Sequence, residues 1–331
     1  MTDSHRIGTS MRVAVTGGAG FIGSHVVDRL LHDGHAVVVL DNLSTGHEEF
    51  LQDARADTSF EAVQIDLFHQ PHELLSILEG IDAVVHLAAN ADVRFGWTEP
   101  RRDLEQNIIA THNVLEAMRV TGVNRILFSS TGSIYGDTTT IPTPEDGPFP
   151  SQTSLYGASK LGAEALIQAY TEGTPISATI FRFVSILGPR YTHGHVLDFF
   201  AKLRRDPSRL EILGNGEQRK SYLHVMDCVE ALTQHIAADH RCEVFNLGVD
   251  SYCTVTESAG WISERLGLDP EFHYTGGDRG WIGDNPFIYL DTSKIRATGW
   301  SPRHTIREAV EETVDYLVAN PAIVDQVAKR R

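Results

Sequence analysis

Residues Thr16 to Ser24 read TGGAGFIGS, and this stretch decides the fold. It follows the apolar run MRVAVTG and precedes a segment of helical period that begins near Phe21. The glycines at positions 17, 18, 20 and 23 allow a tight turn, close approach of the backbone to a pyrophosphate, and close packing of a helix on a strand. The stretch therefore predicts a strand, a glycine-rich turn and a helix whose N-terminus binds phosphate.

Outward from this stretch, short apolar runs alternate with longer segments of helical period as far as about residue 183. Their continuous apolar character is typical of parallel strands that are buried on both faces. The runs are MRVAVTG, AVVVLD, FEAVQID, DAVVHLA, NRILFSS and SATIFRF. The pattern predicts an α/β protein with a Rossmann-type, doubly wound parallel sheet.

After Gly188 the regular alternation gives way to shorter elements, and we expect a smaller C-terminal α/β substrate lobe there. The run VFNLGV still has the character of a strand, so we expect the chain to return to the first lobe. The predicted cofactor-binding domain comprises residues 11–183 and a return segment at about 224–250. Residues 184–223 and 251–320 form the predicted substrate lobe, and residues 1–10 are expected to be a disordered tail.

The composition of the 331 residues limits the partners, because 41% of them are hydrophobic and the formal net charge is -16. So acidic a chain lacks the basic surface that nucleic acid or an anionic membrane requires. It has no signal-peptide pattern and no run of eighteen apolar residues, so we expect a cytoplasmic protein. The three cysteines show no metal-ligand spacing, and His193 and His195 have no acidic residue beside them, so no metal is expected.

Two aspartates end predicted strands. Asp41 closes the second strand about 20 residues beyond the glycines, where an acid binds the ribose hydroxyls of adenosine. A carboxylate at this place would repel the 2′-phosphate of NADP, so the expected cofactor is NAD. Asp66 closes the third strand, where it either accepts a hydrogen bond from the adenine amino group or caps the following helix.

Tyr156 and Lys160 lie four residues apart in SLYGASK, within a run of helical period. At this spacing they share one face of a helix, and an ammonium beside a phenol favours the phenolate. The segment SSTGSIYG lies upstream of them, where Thr131, or alternatively Ser130 or Ser133, would position the same substrate oxygen. The constellation predicts a tyrosine that acts as a catalytic base.

Together these motifs resemble the extended short-chain dehydrogenases, specifically their NAD-dependent epimerase/dehydratase group. The resemblance covers about residues 11–316 and includes DNLSTG, HLAA, YGASK, FRFVSILGPR and GNGEQRKSYLHVMD. It implies tightly held NAD, a nucleotide-sugar substrate in the C-terminal lobe, and a homodimer that pairs the helices carrying Asn107 and Tyr156. The cofactor-binding residues that it implies are Gly17, Gly20, Phe21, Ile22, Gly23, Asp41, Asn42, Asp66, Leu67, Leu87, Ala88, Ala89, Asn107, Tyr156 and Lys160.

Departures from the group's pattern indicate the reaction. Related sugar dehydratases carry Asp-Glu after the catalytic threonine and related uronate decarboxylases carry a glutamate, whereas this chain has Gly132 and Ser133. Without that acid, elimination loses its acid/base pair, so we expect epimerisation at C4 through a 4-keto sugar. The alternatives are a nucleotide-sugar oxidoreductase or dehydratase of the same group, and a non-catalytic NAD-binding protein.

Single positions suggest the substrate ligands. Ser185 stands where many relatives have asparagine, a pattern that resembles UDP-glucuronate 4-epimerases, and Arg190 follows it closely. Ser185, Arg190 and Arg94 are candidates for binding a sugar carboxylate, so UDP-glucuronate is the expected substrate and the neutral hexose of UDP-glucose is the alternative. The candidates for the substrate oxygen or the diphosphate are Ser130, Thr131, Arg219, Lys220 and Arg279.

Overall fold

The computed structural model describes residues 10–91, 96–149, 151–280, 285 and 287–330. Residues 1–9 of the predicted tail at 1–10, and the candidate ligand Arg94, lie outside these ranges. The strands are β1 (Arg12–Thr16), β2 (Ala36–Asp41), β3 (Phe60–Gln64), β4 (Ala83–His86), β5 (Arg125–Thr131), β6 (Ser177–Phe183), β7 (Ser185–Leu187), β8 (Arg209–Ile212), β9 (Arg219–Lys220), β10 (Tyr222–His224), β11 (Cys242–Leu247), β12 (Cys253–Thr254), β13 (Glu271–Tyr274) and β14 (Phe287–Ile288).

Helices connect these strands, and a π-helical turn (Leu104–Ile109) joins the third helix to the fourth. The α-helices are α1 (Phe21–His32), α2 (Glu73–Ile77), α3 (Pro100–Asp103), α4 (Ala110–Thr121), α5 (Leu155–Gly173), α6 (His195–Arg205), α7 (Val225–Gln234), α8 (Val255–Arg265), α9 (Ser293–Arg296), α10 (Ile306–Ala319) and α11 (Pro321–Arg330). None of those described is both long and apolar enough to span a membrane.

Within the described residues, seven parallel strands form the central sheet in the order β11-β6-β5-β4-β1-β2-β3. The chain runs outward from β1 to β3 and then crosses to β4 on the other side of β1. Such a reversal leaves a crevice at the carboxyl ends of the strands, where ligands of doubly wound proteins bind. The predicted Rossmann-type doubly wound α/β fold is therefore confirmed.

The two faces of the sheet have separate apolar cores, which explains the uninterrupted hydrophobic runs. In β1, Val13 and Val15 face one core together with Val26 of α1. Ala14 between them faces the other core, together with Val114 of α4 and Ile167 of α5. Helices α1 and α5 are thus fixed on opposite faces of the sheet, and both reach its carboxyl edge.

The smaller sheets follow β6. Strand β7 pairs with β10, β8 pairs with β13, and β12, β9 and β14 form a three-stranded sheet. Strand β11 then pairs in parallel with β6 at the edge of the main sheet. The chain therefore leaves the central sheet after β6 and rejoins it at β11.

Candidate active site

The glycine-rich turn has the close contacts that the sequence predicts. Gly17 has φ 68°, and a Cβ on it would lie 2.8 Å from the Ala88 backbone nitrogen. A Cβ on Gly23 would overlap the carbonyl oxygen of Gly17, so helix α1 can pack on the turn only with glycine here. Gly20 supplies no side-chain cap to α1. The N–H groups of the first helical turn are therefore available to an anion, which fits a pyrophosphate.

Asp41 ends β2 beside this turn. Its Oδ2 accepts a hydrogen bond from the Ala19 N–H (3.0 Å), and its Oδ1 accepts one from the Leu43 N–H (2.8 Å). Burial raises the pKa of this carboxyl, and the two hydrogen bonds oppose that rise. The carboxylate is thereby fixed in orientation, with lone pairs left for ribose hydroxyls.

Asp66 makes mainly local hydrogen bonds. Its Oδ1 accepts from the backbone N–H groups of Phe68 (2.9 Å) and His69 (3.0 Å), and its Oδ2 accepts from Asn42 Nδ2 (3.0 Å). Burial acts against ionisation, but these hydrogen bonds hold the pKa of Asp66 below its ordinary value. Of the two interpretations offered by the sequence, these contacts favour capping of the following turn.

A cavity of about 260 Å³ opens beside the turn and Asp41. Most of the predicted cofactor residues line it, namely Gly17, Gly20, Phe21, Ile22, Gly23, Asp41, Asn42, Leu67, Leu87, Ala88 and Ala89. Ser44 and Thr45 of the DNLSTG motif also line it, and other lining residues belong to none of the quoted motifs, among them Arg102, Gln106, Thr192 and His193. Thr192 and His193 come from a segment far along the chain, which no local pattern connects with the glycines. The shape and lining of the cavity fit a dinucleotide.

Tyr156 and Lys160 lie in the first turns of α5, which begins after Ser154 because that side chain accepts a hydrogen bond from the Gly157 N–H (3.0 Å). The Tyr156 hydroxyl is hydrogen-bonded to the Thr131 side chain, and burial raises the pKa of Tyr156 to about 12. Burial lowers the pKa of Lys160 to about 7. The phenol therefore needs additional positive charge beside it before it can act as a base at neutral pH.

Asn107 holds the start of α5 in place. Its Nδ2 donates to Ser159 Oγ (2.8 Å), which itself donates to the Tyr156 carbonyl (2.8 Å), and its Oδ1 accepts from the Asn90 N–H (2.8 Å). Asn107 is buried within the π-helical turn, an irregularity that is frequent at functional sites. Its contacts are with protein groups, so they support a positioning role beside the cofactor.

Gly132 occupies the place where the dehydratases carry an acid. It is buried, and a Cβ on it would lie 3.2 Å from Ile288 Cγ2 and 3.4 Å from the Leu290 side chain. An aspartate at this position would lie against aliphatic groups. Thr131 Oγ1 accepts from the N–H of Ser133 (3.1 Å), and Ser130 Oγ is buried without a hydrogen-bond partner in the described part of the chain.

The basic candidates for substrate binding lie in different surroundings. Lys220 lines a separate cavity of about 410 Å³ with His195, Gln218 and Tyr222, and its Nζ contacts the Asn285 carbonyl. The Arg219 guanidinium lies 4.1 Å from the centre of the Phe287 ring. Lys220 thus lines a cavity that could hold part of a nucleotide.

Arg279 and Arg190 each form an ion pair with an aspartate that is distant in the sequence. Arg279 Nη2 lies 2.6 Å from Asp137 Oδ2, and Arg190 Nη1 lies 2.7 Å from Asp28 Oδ2 on α1. Ser185, by contrast, is exposed in a strand whose next two residues are buried. The structure therefore does not bring Arg190 to a free position as a carboxylate ligand, whereas Ser185 stays accessible.

One group in the described residues has the side chains of a metal site: His224, His304 and Glu312, with ligand atoms within 4.8 Å of one another. His224 Nδ1 accepts from the Met226 N–H (3.2 Å), so in the neutral ring Nε2 carries the proton and donates to Glu312 (3.0 Å). His304 Nδ1 faces Asp227 (3.1 Å). Hydrogen bonds that join His224 at the end of β10 to α7 and α10, and the loop before α10 to α7, therefore account for the cluster.

Comparison with known proteins identifies the family of the chain. The chain matches the NAD dependent epimerase/dehydratase family over residues 13–248 and belongs to it. The UDP-glucose 4-epimerase of Mycolicibacterium smegmatis is 32% identical over 92% of this chain and 98% of its own. A crystal structure of UDP-galactose 4-epimerase is 39% identical, covers 94% of this chain and 99% of its own, and superposes with a TM-score of 0.83.

A UDP-glucose 4-epimerase from Thermus thermophilus, solved in complex with NAD, is 31% identical and covers 93% of this chain and 99% of its own, with a TM-score of 0.82. NAD is therefore the cofactor of this family, and the glycine turn, Asp41 and the adjoining cavity form the site that fits it. The protein is an enzyme of the UDP-sugar epimerase/dehydratase type.

Proposed function

We propose that the protein is a UDP-sugar 4-epimerase. The observation that carries the proposal is the combination of Tyr156, hydrogen-bonded to Thr131, with Lys160 one helical turn away and with Gly132 under the aliphatic side chains of Ile288 and Leu290. The first three residues provide a base for a sugar hydroxyl. Because position 132 is a glycine packed against aliphatic side chains, it supplies no acid for the elimination of water.

The chain's own residues perform the proton transfers. Tyr156, once ionised, accepts the proton of the C4 hydroxyl, while the Thr131 hydroxyl holds the same oxygen. When bound, NAD would accept the hydride from C4 and later return it, and its positive charge would act with Lys160 to lower the pKa of the tyrosine. Once the 4-keto sugar has turned its other face to the cofactor and C4 has regained the hydride on that face, Tyr156 returns the proton to the C4 oxygen, so the configuration at C4 is inverted.

The nucleotide is proposed to occupy the cavity that Lys220 lines, with the ammonium beside the diphosphate. We propose the neutral pair UDP-glucose and UDP-galactose as the preferred substrates. Arg190, which the sequence assigned to a sugar carboxylate, instead forms an ion pair with Asp28. Of Ser185 and Arg190, the two residues that favoured UDP-glucuronate, only Ser185 still supports that substrate. UDP-glucuronate is the second candidate, because Ser185 is exposed and its hydroxyl could hold a carboxylate.

The predicted homodimer is also part of this proposal. The two helices predicted to form the contact carry Asn107 and Tyr156, and they lie beside each other. Leu104 of the π-helical turn and Val120 of α4 are exposed apolar residues near this contact. Apolar side chains on such a surface are suited to packing against a second copy. Light scattering on the purified chain would test this, with a single-chain mass as the contradicting result.

The test of the reaction is a panel of UDP-sugars incubated with the purified protein and resolved by anion-exchange chromatography. A 4-epimerase converts UDP-glucose and UDP-galactose into one equilibrium mixture from either side, with no net change in nicotinamide absorbance. Stoichiometric formation or consumption of reduced cofactor would instead identify an oxidoreductase. Loss of the sugar hydroxyl as water would identify a dehydratase, and no conversion of any sugar would favour a non-catalytic protein.

A further inference from the structure

A short segment between two glycines, residues 189–193, passes over helix α1, and we call it the strap. Gly188 has φ 142° and a Cβ on it would lie 2.6 Å from Val225 Cγ1. Gly194 has φ 105°, and a Cβ on it would overlap the Tyr191 hydroxyl. Both ends of the strap therefore have conformations and contacts that favour glycine.

Three side chains from one face of α1 hold the strap. Phe21, His25 and Asp28 follow each other at spacings of four and three residues, so they lie in one row along the helix. His25 Nε2 donates a hydrogen bond to the carbonyl of residue 189 (3.0 Å), and burial lowers the pKa of this histidine to about 4, which leaves a neutral ring with one N–H donor. This tether therefore persists at neutral pH.

The other two tethers hold the next two strap residues. The Arg190 and Asp28 side chains are 18% and 35% exposed, and their ion pair of 2.7 Å is accordingly partly shielded from solvent. Arg190 has φ 64°, a conformation that non-glycine residues rarely adopt, and the pair helps to maintain it. The Tyr191 ring packs edge-on against Phe21 with centroids 5.5 Å apart.

The strap then enters the cofactor cavity. The ring of His193 stacks on that of Tyr191 with centroids 5.9 Å apart, and both His193 and Thr192 line the 260 Å³ cavity. Phe21 lines the same cavity from the N-terminal turn of α1. A single helix thus forms part of the pyrophosphate site and also holds the segment that borders the cavity on another side.

We propose that the strap retains bound NAD, with Arg190 as a positioning residue anchored by Asp28 and with Thr192 and His193 as cofactor contacts. Epimerisation by this route requires the cofactor to stay in place until the hydride has returned to the sugar. A strap anchored to the phosphate-binding helix meets that requirement. The proposal assigns Arg190 to cofactor retention, and it depends on NAD binding but not on which sugar is the substrate.

The test compares Arg190→Ala, Asp28→Ala and the double variant with wild type in the absence of any sugar. The holoprotein is passed through a desalting column or diluted, and the NAD that remains is released by acid and quantified against time. We expect NAD to dissociate about tenfold faster from each single variant, equivalent to about 1.4 kcal/mol. The double variant should be no faster than either single one, because both changes remove the same tether.

The matched control is Asp33→Ala. Arg29 and Asp33 form an ion pair of the same length, 2.7 Å, near the end of the same helix, with side chains 35% and 31% exposed. Their side chains pair with each other, whereas the Asp28 side chain pairs with the strap. This variant should keep NAD as wild type does. His193→Ala and Thr192→Val leave all three tethers intact, so they should release NAD faster without a change in the melting temperature of the cofactor-free protein.

Two results would overturn the proposal. If Asp28→Ala kept NAD as long as wild type and Arg190→Ala raised only the KM for UDP-glucuronate, Arg190 would be a sugar ligand. If the two changes at Thr192 and His193 left NAD dissociation unchanged, the strap would be structural. The measurements of NAD retention do not depend on whether the enzyme proves to be a 4-epimerase, because they are made without sugar.

Discussion

Replacing Lys160 with methionine should stabilise the cofactor-free protein and abolish its activity. The Lys160 side chain is only 2% exposed, and its Nζ lies 4.5 Å from the centre of the Phe128 ring. Burial lowers the pKa of this ammonium from 10.5 to about 7. That change corresponds to roughly 5 kcal/mol of cost in folding the protonated lysine.

The sign and the pH range follow from proton binding. Between pH 7 and 10.5 the unfolded chain keeps the proton of Lys160 and the folded chain does not, so the stability of wild type rises with pH in this range. The unfavourable contribution of Lys160 burial to the free energy of folding is close to its full value at pH 7 and falls to about 2 kcal/mol at pH 9. Methionine has no such cost and fills a similar apolar space.

The assay is thermal unfolding of protein freed of NAD, at pH 7 and at pH 9. At pH 7 we expect Lys160→Met to raise the free energy of unfolding by at least about 2 kcal/mol, or the melting temperature by about 3 °C for a chain of this size. At pH 9 the difference should be about half as large. Turnover should fall by at least about 100-fold, because the tyrosine loses the positive charge beside it.

Lys202→Met is the control, since Lys202 forms a surface ion pair with Glu211, whose side chain is 52% exposed. Such pairs contribute about 0–1 kcal/mol, so its melting temperature should stay close to that of wild type. The reasoning would be refuted if Lys160→Met melted at or below the wild-type temperature at pH 7, or if the gap between them did not narrow at pH 9.

Three further predictions concern the catalytic base, the cofactor and the sugar. Tyr156→Phe should lower turnover by at least about 100-fold while NAD content stays unchanged, and near-wild-type activity would contradict the mechanism. Asp41→Ser should weaken NAD binding and reduce the preference of the enzyme for NAD over NADP. Acid-denatured wild type should release NAD, and release of NADP would show that Asp41 does not select the cofactor. Ser185→Ala should change kcat/KM for UDP-glucose and UDP-glucuronate by similar factors, whereas a selective loss of about tenfold or more with UDP-glucuronate would identify Ser185 as a carboxylate ligand.

The fold could be predicted because its signals are local. Most strands of the central sheet are short apolar runs, and the glycine motif directly follows the first of them. Strand β3 is the exception: it lies at the edge of the sheet, and its residues FEAVQ are only partly buried, so the expectation of burial on both faces is wrong for this strand. Tyr156 and Lys160 were recognisable for the same reason, since a spacing of four residues fixes their common face once α5 forms. Asp41 was found from its distance to the glycines, which the length of α1 and β2 determines.

The ion pairs of the arginines could not be predicted in this way. Arg190 meets Asp28 across 162 positions, and Arg279 meets Asp137 across 142. The residues around each arginine carry no information about which carboxylate folding will bring to it. The sequence therefore identified residues capable of binding an anion, but it could not show which of them another part of the chain would neutralise.

The surroundings of Lys160 show how such a distant partner bears on catalysis. Glu164 lies four residues after Lys160 on α5, a spacing that from sequence alone suggests an ion pair between them. The Glu164 carboxylate instead accepts hydrogen bonds from Arg182 of β6, at 2.8 Å from Nη2 and 3.1 Å from Nε, with both side chains buried. Because Arg182 takes this carboxylate, Lys160 keeps only a long-range attraction to it, and burial lowers its pKa. The Lys160 side chain is thus left to interact with the tyrosine and the cofactor, and Lys160→Met would reveal what its burial costs in stability.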